Sequence, residues 1–280
     1  GAIGVVASAA VVSFGADLIG AASDVVESTN KVGEVFQDQK GPILDFAETA
    51  ATDIGLSEQA ALEAAGTFGN LFTSLGLSTG EAANLSTEFL TLSADLASFN
   101  NIPVDDALLR LRSGLVGEIE PLRRLGISFN AAQVEAKALE LGFADANGEI
   151  SEAGKVQARA ALITELSTNA QGDFARTSDD LANKQRIVAA EYENTQAALG
   201  NALLPTFLTF LNLTQDLFPA VESLGTAVGP VLATGFDLVA VALGPVVTVV
   251  SAFAAGIEAI PGPVLAAATG IGLLALAVKV

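Results

Sequence analysis

The chain has 280 residues, 51% of them hydrophobic, and carries 32 acidic against 13 basic residues for a net charge of −19; its mean hydropathy of +0.51 lies above the usual soluble range. Cysteine, histidine, methionine and tryptophan are absent, which removes disulfides, thiolate nucleophiles, imidazole bases and the usual zinc or transition-metal sites, so no cofactor is expected. The basic residues collect into no run or face, and tight nucleic-acid binding is disfavoured.

The chain opens on an apolar segment, Gly1–Ala16, with no basic region ahead of it such as a signal peptide requires. That start and the lack of any methionine read as an internal piece of a longer polypeptide. Asp17–Lys40 places Val25, Val26, Val32, Val35 and Phe36 at helical spacing, which predicts one amphipathic helix. Gly41-Pro42 reads as a helix stop followed by a start, launching a short helix over 45–54 that Gly55 closes.

Ser57–Leu75 carries Leu62, Ala65, Phe68 and Phe72 on one stripe with Gly76 placed to end the helix. Ser78 with Glu81 forms a capping box for a helix bearing Leu85, Phe89, Leu92 and Leu96, and Asn100-Asn101 ends it. Pro103 then stands at a first helical position, with Asp105 and Asp106 in the first turn, where carboxylates suit the macrodipole. From Arg110 to Arg124 the arginines Arg110, Arg112, Arg123 and Arg124 alternate with Gly114, Gly117, Glu118, Glu120 and Pro121. Two readings stand: a loop-helix element tied by arginine–carboxylate pairs, or a docking patch for an acidic partner.

Asn130 caps a helix to Leu141, ended by Gly142. Around Asn147-Gly148 the residues 143–150 alternate, which predicts a small β-hairpin. A calcium loop begun at Asp145 fails, because positions six and twelve would be Ile150 and Val156 instead of glycine and glutamate. Ser151 opens a helix to Leu166; 169–176 is a polar break; and a long helix follows near 178–213, kinked by Pro205. On it, Leu181, Val188, Tyr192, Thr195 and Leu199 form a heptad seam that either packs the helix on its own domain or mediates self-association.

In the last stretch, Val228–Val280, only Asp237, Glu258 and Lys279 are charged, leaving two uncharged runs of about twenty residues, enough for a helix to cross a bilayer. Gly229-Pro230, Gly244-Pro245 and Gly262-Pro263 punctuate it as helix joints. The whole reads as an all-α protein: an apolar segment and amphipathic helix (1–41), a compact helical module (42–177), a long helix (178–222) and apolar, membrane-competent helices (223–280).

No catalytic constellation emerges. A glycosidase lacks its aromatic platforms with one tyrosine and no tryptophan. No phosphate-binding glycine loop follows a strand, and Ser28-x-x-Lys31 has no companion motif. An enzyme is therefore not expected.

Several blocks in succession, Leu92–Asn101, Asp106–Arg110, Arg112–Gly126, Ala136–Gly142, Gln157–Ala160, Gln171–Ser178 and Leu199–Pro205, resemble the tape measure proteins of long-tailed bacteriophages, over nearly half of the chain. The resemblance implies a largely helical filler of the tail lumen, in a few copies with a trimer favoured, whose length sets tail length. It also implies tail-tube and tail-tip partners, a place in the virion tail, and apolar segments that reach the host membrane to assist DNA passage at infection. Two rivals remain: a pore-forming protein with no measuring role, and a helical scaffold that never contacts lipid.

Overall fold

Side chains at helix starts set much of this fold. In the computed structural model, which describes residues 2–227, Ser57, Ser78, Asn130 and Ser151 each accept the backbone N–H three residues on, satisfying a donor that the helix cannot. These caps open α3 (Glu58–Ser74), α4 (Thr79–Asn100), α7 (Ala131–Glu140) and α8 (Glu152–Leu166). Ahead of them lie α1 (Ala2–Phe36), a 3₁₀ turn at Gln37–Gln39 and α2 (Lys40–Ile54); between and after them come α5 (Val104–Val116), α6 (Glu120–Arg123), α9 (Asp173–Arg176) and α10 (Leu181–Ala227). The described chain is thus mostly helical.

The capping box at α4 is complete. The Glu81 carboxylate accepts the Ser78 hydroxyl at 2.6 Å and the Ser78 backbone N–H at 3.0 Å, and these bonds, the hydroxyl first, hold its pKa below the ordinary carboxylate value. A depressed folded pKa contributes stability that is full above the unfolded-state pKa and is lost as the pH falls through the folded one. Ser78→Ala should therefore cost about 1 kcal/mol in urea unfolding at neutral pH. It should also return the Glu81 titration, followed by carboxyl NMR, toward the ordinary value.

Two boundaries differ from the sequence reading. The first helix breaks not at Gly41-Pro42 but at Gln37, whose φ is +52°; Pro42 then sits in the first turn of α2, where a missing N–H costs nothing. Likewise, the expected hairpin at 143–150 is reduced to a single antiparallel bridge between Ala144 and Ile150. The Asp145 carboxylate explains this by accepting the N–H groups of Asn147 and Glu149, each at 2.8 Å. With α7 ending just before and α8 starting at once, the closed turn leaves no residues to extend a ladder.

Val25–Asn194 belongs to one compact unit. At its centre is α4, packed on α2, α3, α5 and α9. Every residue from Leu92 to Ala97 is buried, so this stretch of α4 is enclosed on all sides, whereas the turns before it expose Asn84, Glu88 and Thr91. Its polar side chains are reconciled with that burial locally: the Ser86 and Ser93 hydroxyls donate to the carbonyls one turn back at 2.6 Å. Phe89 meets Phe68 and Phe72 of α3 at ring-centroid distances of 6.1 and 6.3 Å, and Phe36 of α1 fills the hollow over Gly69. A methyl on Gly69 would stand 2.2 Å from that ring, so the helices approach this closely only because α3 carries a glycine there. Val32, Phe36 and Ile187 carry this core beyond the 42–177 span read from the sequence.

Among the described residues, the other unit takes those before Val25 and those of α10 from Thr195. Among its described residues, Leu18, Ile19, Ala22 and Ala197 are buried. There α1 and α10 touch backbone to side-chain position: a methyl on Gly200 would fall 1.8 Å from the Leu18 carbonyl oxygen. The helix α10 runs on through Pro205, and the Thr209 hydroxyl donates to the Pro205 carbonyl at 2.8 Å. Among the described residues no helix is long and apolar enough to cross a membrane. The tail at 228–280, with the joints Gly229, Pro230, Gly244, Pro245, Gly262 and Pro263, lies outside the described residues.

Candidate functional site

The most connected polar group of the compact unit lies at the C-terminal end of α4, where α9 and the start of α10 meet it. Asp95, 6% exposed, would be a costly buried carboxylate without partners. It has two: Oδ2 accepts the Gly172 N–H at 2.7 Å and Oδ1 accepts the Phe174 N–H at 3.1 Å. Gly172 presents its amide from φ +72°, a conformation in which glycine is at ease and other residues are strained.

One turn further along α4, the Ser98 hydroxyl donates to Asp173 Oδ2 at 2.7 Å. The Thr177 hydroxyl donates to the Asp173 carbonyl at 2.7 Å. With both hydroxyl protons so used, the acceptor lone pairs of Ser98 and Thr177 face Asn183, whose Nδ2 donates to them at 2.9 and 2.8 Å. Asn183 Oδ1 in turn accepts from Arg186 Nη1, and Arg186 Nη2 donates to the Ile102 carbonyl at 3.0 Å. These donors therefore run one way, from the Arg186 guanidinium through Asn183 to the two hydroxyls, of which Ser98 ends on the Asp173 carboxylate and Thr177 on the Asp173 backbone carbonyl, an order in which the bonds polarise one another.

Burial lowers the pKa of Arg186. Among the described residues no carboxylate pairs with this guanidinium; the Ala97 and Ile102 carbonyls at the end of α4 accept from it, where the helix dipole concentrates negative charge. Arg159 repeats the device on α5, donating to the Leu115 carbonyl at 3.1 Å. The arrangement holds helices together. Two surface hollows, of about 630 and 390 Å³, are lined by residues between Gly33 and Leu44 and by residues around Arg112. Among the described residues no cluster of three or more acidic side chains is arranged to hold a metal.

The four arginines singled out by the sequence are not gathered into one patch by their bonds. Arg110 pairs with Asp106 at 3.4 Å and Arg123 with Glu120 at 2.8 Å, each within its own helix, exposed pairs of the kind worth a few tenths of a kcal/mol. Arg112 lines the smaller hollow beside Thr67, Ser74 and Glu118, and Arg124 is exposed.

The seam residues also fall differently. Leu181 and Val188 are 75% and 48% exposed, Tyr192 and Leu199 are half-buried, and Thr195 is exposed. The face of α10 that packs on the compact unit carries Asn183, Ile187, Ala190 and Asn194, which at 100° per residue is the opposite side of the helix. An apolar-periodicity argument could not find it, because half of that face is asparagine.

The residues missed by the sequence reading, Asp95, Ser98, Arg159, Asp173, Asn183 and Arg186, left one usable signal: a lone carboxylate inside the apolar run Leu92–Ala97. Asp95 and Ser98 belong to the block Leu92–Asn101, and Asp173 and Thr177 to Gln171–Ser178, so two blocks some 75 residues apart in sequence are joined by the polar group. Comparison with family models, with curated proteins and with solved structures gives no match.

Proposed function

We propose that this chain is part of a tape measure protein of a long-tailed bacteriophage, a helical filler of the tail lumen that sets tail length at assembly and assists genome passage at infection. The ordered succession of sequence blocks from Leu92 to Pro205 carries this reading. The mostly helical chain agrees with it, since helix converts residue number into distance at a fixed ~1.5 Å per residue. The net charge of −19 agrees too, because a filler expelled ahead of DNA should not hold it.

On this reading the compact unit is a folded end of the tape. Its roughly 170 residues span about 40 Å as a globule against about 255 Å as a single helix, so measurement falls to extended helix elsewhere in the protein. The seam Leu181, Val188, Tyr192, Thr195 and Leu199 joins copies of the chain, a trimer in the favoured form; Arg110, Arg112, Arg123 and Arg124 offer cations to tail-tube or tail-tip partners; no catalytic step is assigned. The apolar helices of 223–280, articulated at Gly229-Pro230, Gly244-Pro245 and Gly262-Pro263, are covered by protein in the virion and enter the host membrane on ejection.

The test is tail length. In a phage carrying this gene, duplicating four heptads of α10 should lengthen the tail by roughly 40 Å in electron micrographs. An unchanged tail would overturn the measuring role. For the membrane role, the peptide Phe218–Val280 should release dye from liposomes, and an inert peptide would favour the scaffold reading.

A further inference from the structure

The first turns of α10, Leu181–Asn194, are held to the helices beneath them chiefly by polar bonds. Asn183 reaches Ser98 and Thr177, Arg186 reaches the Ala97 and Ile102 carbonyls, and Asn194 Oδ1 accepts the Glu58 N–H at 2.8 Å, completing the cap of α3. The apolar members of this face are Ile187, half-buried, and Ala190. The stem of Arg186 lies over a shallow seat made by Gly55 and the edge of Phe174: a methyl on Gly55 would stand 3.1 Å from Arg186 Cβ and 3.0 Å from the ring.

Apolar burial is non-directional and tolerates small displacements, whereas a hydrogen bond is lost within about an ångström and its groups are taken up by water at little net cost. The contrast with α4, enclosed by aromatic and aliphatic side chains, is large. The turn that leads into α10 is bonded within itself: Asp180 N–H to the Thr177 carbonyl at 2.9 Å and Ser178 Oγ to the Ala175 carbonyl at 3.2 Å.

We propose that Leu181–Asn194 is a detachable strap, which opens as one piece while α2–α8 stay folded, with Arg186 as its pin. The polar group then divides in two. Asp95 with the Gly172 and Phe174 amides stays closed and keeps α9 on α4; the bonds of Asn183, Arg186 and Asn194 are those that open. Local opening of this kind is set by how little apolar surface a segment buries. The proposal does not rest on the tape measure reading, although a chain that passes from compact to extended would begin to unravel here.

Amide hydrogen exchange of the full chain across sub-denaturing urea tests it. Amides of residues 183–194 should exchange through an opening with a smaller urea dependence than those of residues 90–96. Arg186→Ala should speed exchange in the strap tenfold or more while changing residues 90–96 less than twofold. Strap amides that share the urea dependence of residues 90–96 in the unmodified protein would overturn the proposal, as would an Arg186→Ala variant in which both sets accelerate alike. Should that variant fail to fold, Asn183→Ala and the unmodified protein decide the matter by the same comparison.

Discussion

Replacing Phe89 by alanine is expected to lower the stability of the compact unit by about 3–5 kcal/mol. Phe89 is fully buried, sits on the helix against which α2, α3, α5 and α9 pack, and closes a three-ring group with Phe68 and Phe72 at centroid distances of 6.0–6.3 Å. Truncation removes the ring's burial and leaves a cavity between α3 and α4 that neither helix can fill, since both are fixed by further contacts on their far sides. Offset and edge-on ring pairs add to the loss beyond area alone. Against a typical total of about 5–15 kcal/mol, such a loss removes a large share of the stability. Urea unfolding followed by far-ultraviolet circular dichroism measures it. Phe99, on the same helix but 54% exposed, is the control: Phe99→Ala should change stability by less than about 0.5 kcal/mol. A Phe89→Ala loss no larger than that of the control would mean that the ring group contributes no packing energy.

Asp95→Ala is expected to cost about 3–5 kcal/mol, with Asp95→Asn intermediate. Alanine strands two amides, those of Gly172 and Phe174, which the carboxylate accepts at 2.7 and 3.1 Å. Each stranded N–H carries a desolvation cost of about 1–3 kcal/mol. Asparagine keeps one acceptor oxygen but turns an amide NH₂ toward the other donor, so one of the two bonds is recovered and one becomes a repulsion. A measurable loss in Asp95→Asn in urea unfolding separates this role from simple volume loss, under which the near-isosteric Asn would be silent. Phe174, 1% exposed and seated by the same carboxylate, ties this polar group to the core; the loss should therefore appear as global unfolding, unlike the local loosening expected for Arg186→Ala.

The contrast between those two variants shows where sequence reasoning works on this chain. Capping is a matter of residues three apart, so Ser78 with Glu81, Asn130 with Gln133 and the glycines after α2, α3 and α7 announce their roles. The break in the first helix was placed four residues late, because Gly41-Pro42 fits a helix start as well as a stop, and the left-handed residue turned out to be Gln37. The heptad seam on α10 is legible as periodicity, but the residues that pack on the compact unit are Asn183, Ile187, Ala190 and Asn194. Their partner surface is made of helix ends and hydroxyls, which ask for asparagine and arginine where an apolar partner would ask for leucine.

By itself, then, the sequence determined that this protein is helical, where most of its helices begin and end, and that no disulfide or histidine chemistry is open to it. The tertiary structure alone decided that Leu92–Ala97 of α4 is enclosed on every side, that Asp95 is the acceptor for α9, and that α10 docks by its polar face. The physical reason is range. A cap or a turn is settled by bonds between neighbours in the chain, and its residue types can be read in place. A buried carboxylate or a docked helix face is settled by groups some 75 to 140 residues away, and these become its environment only once the chain has folded.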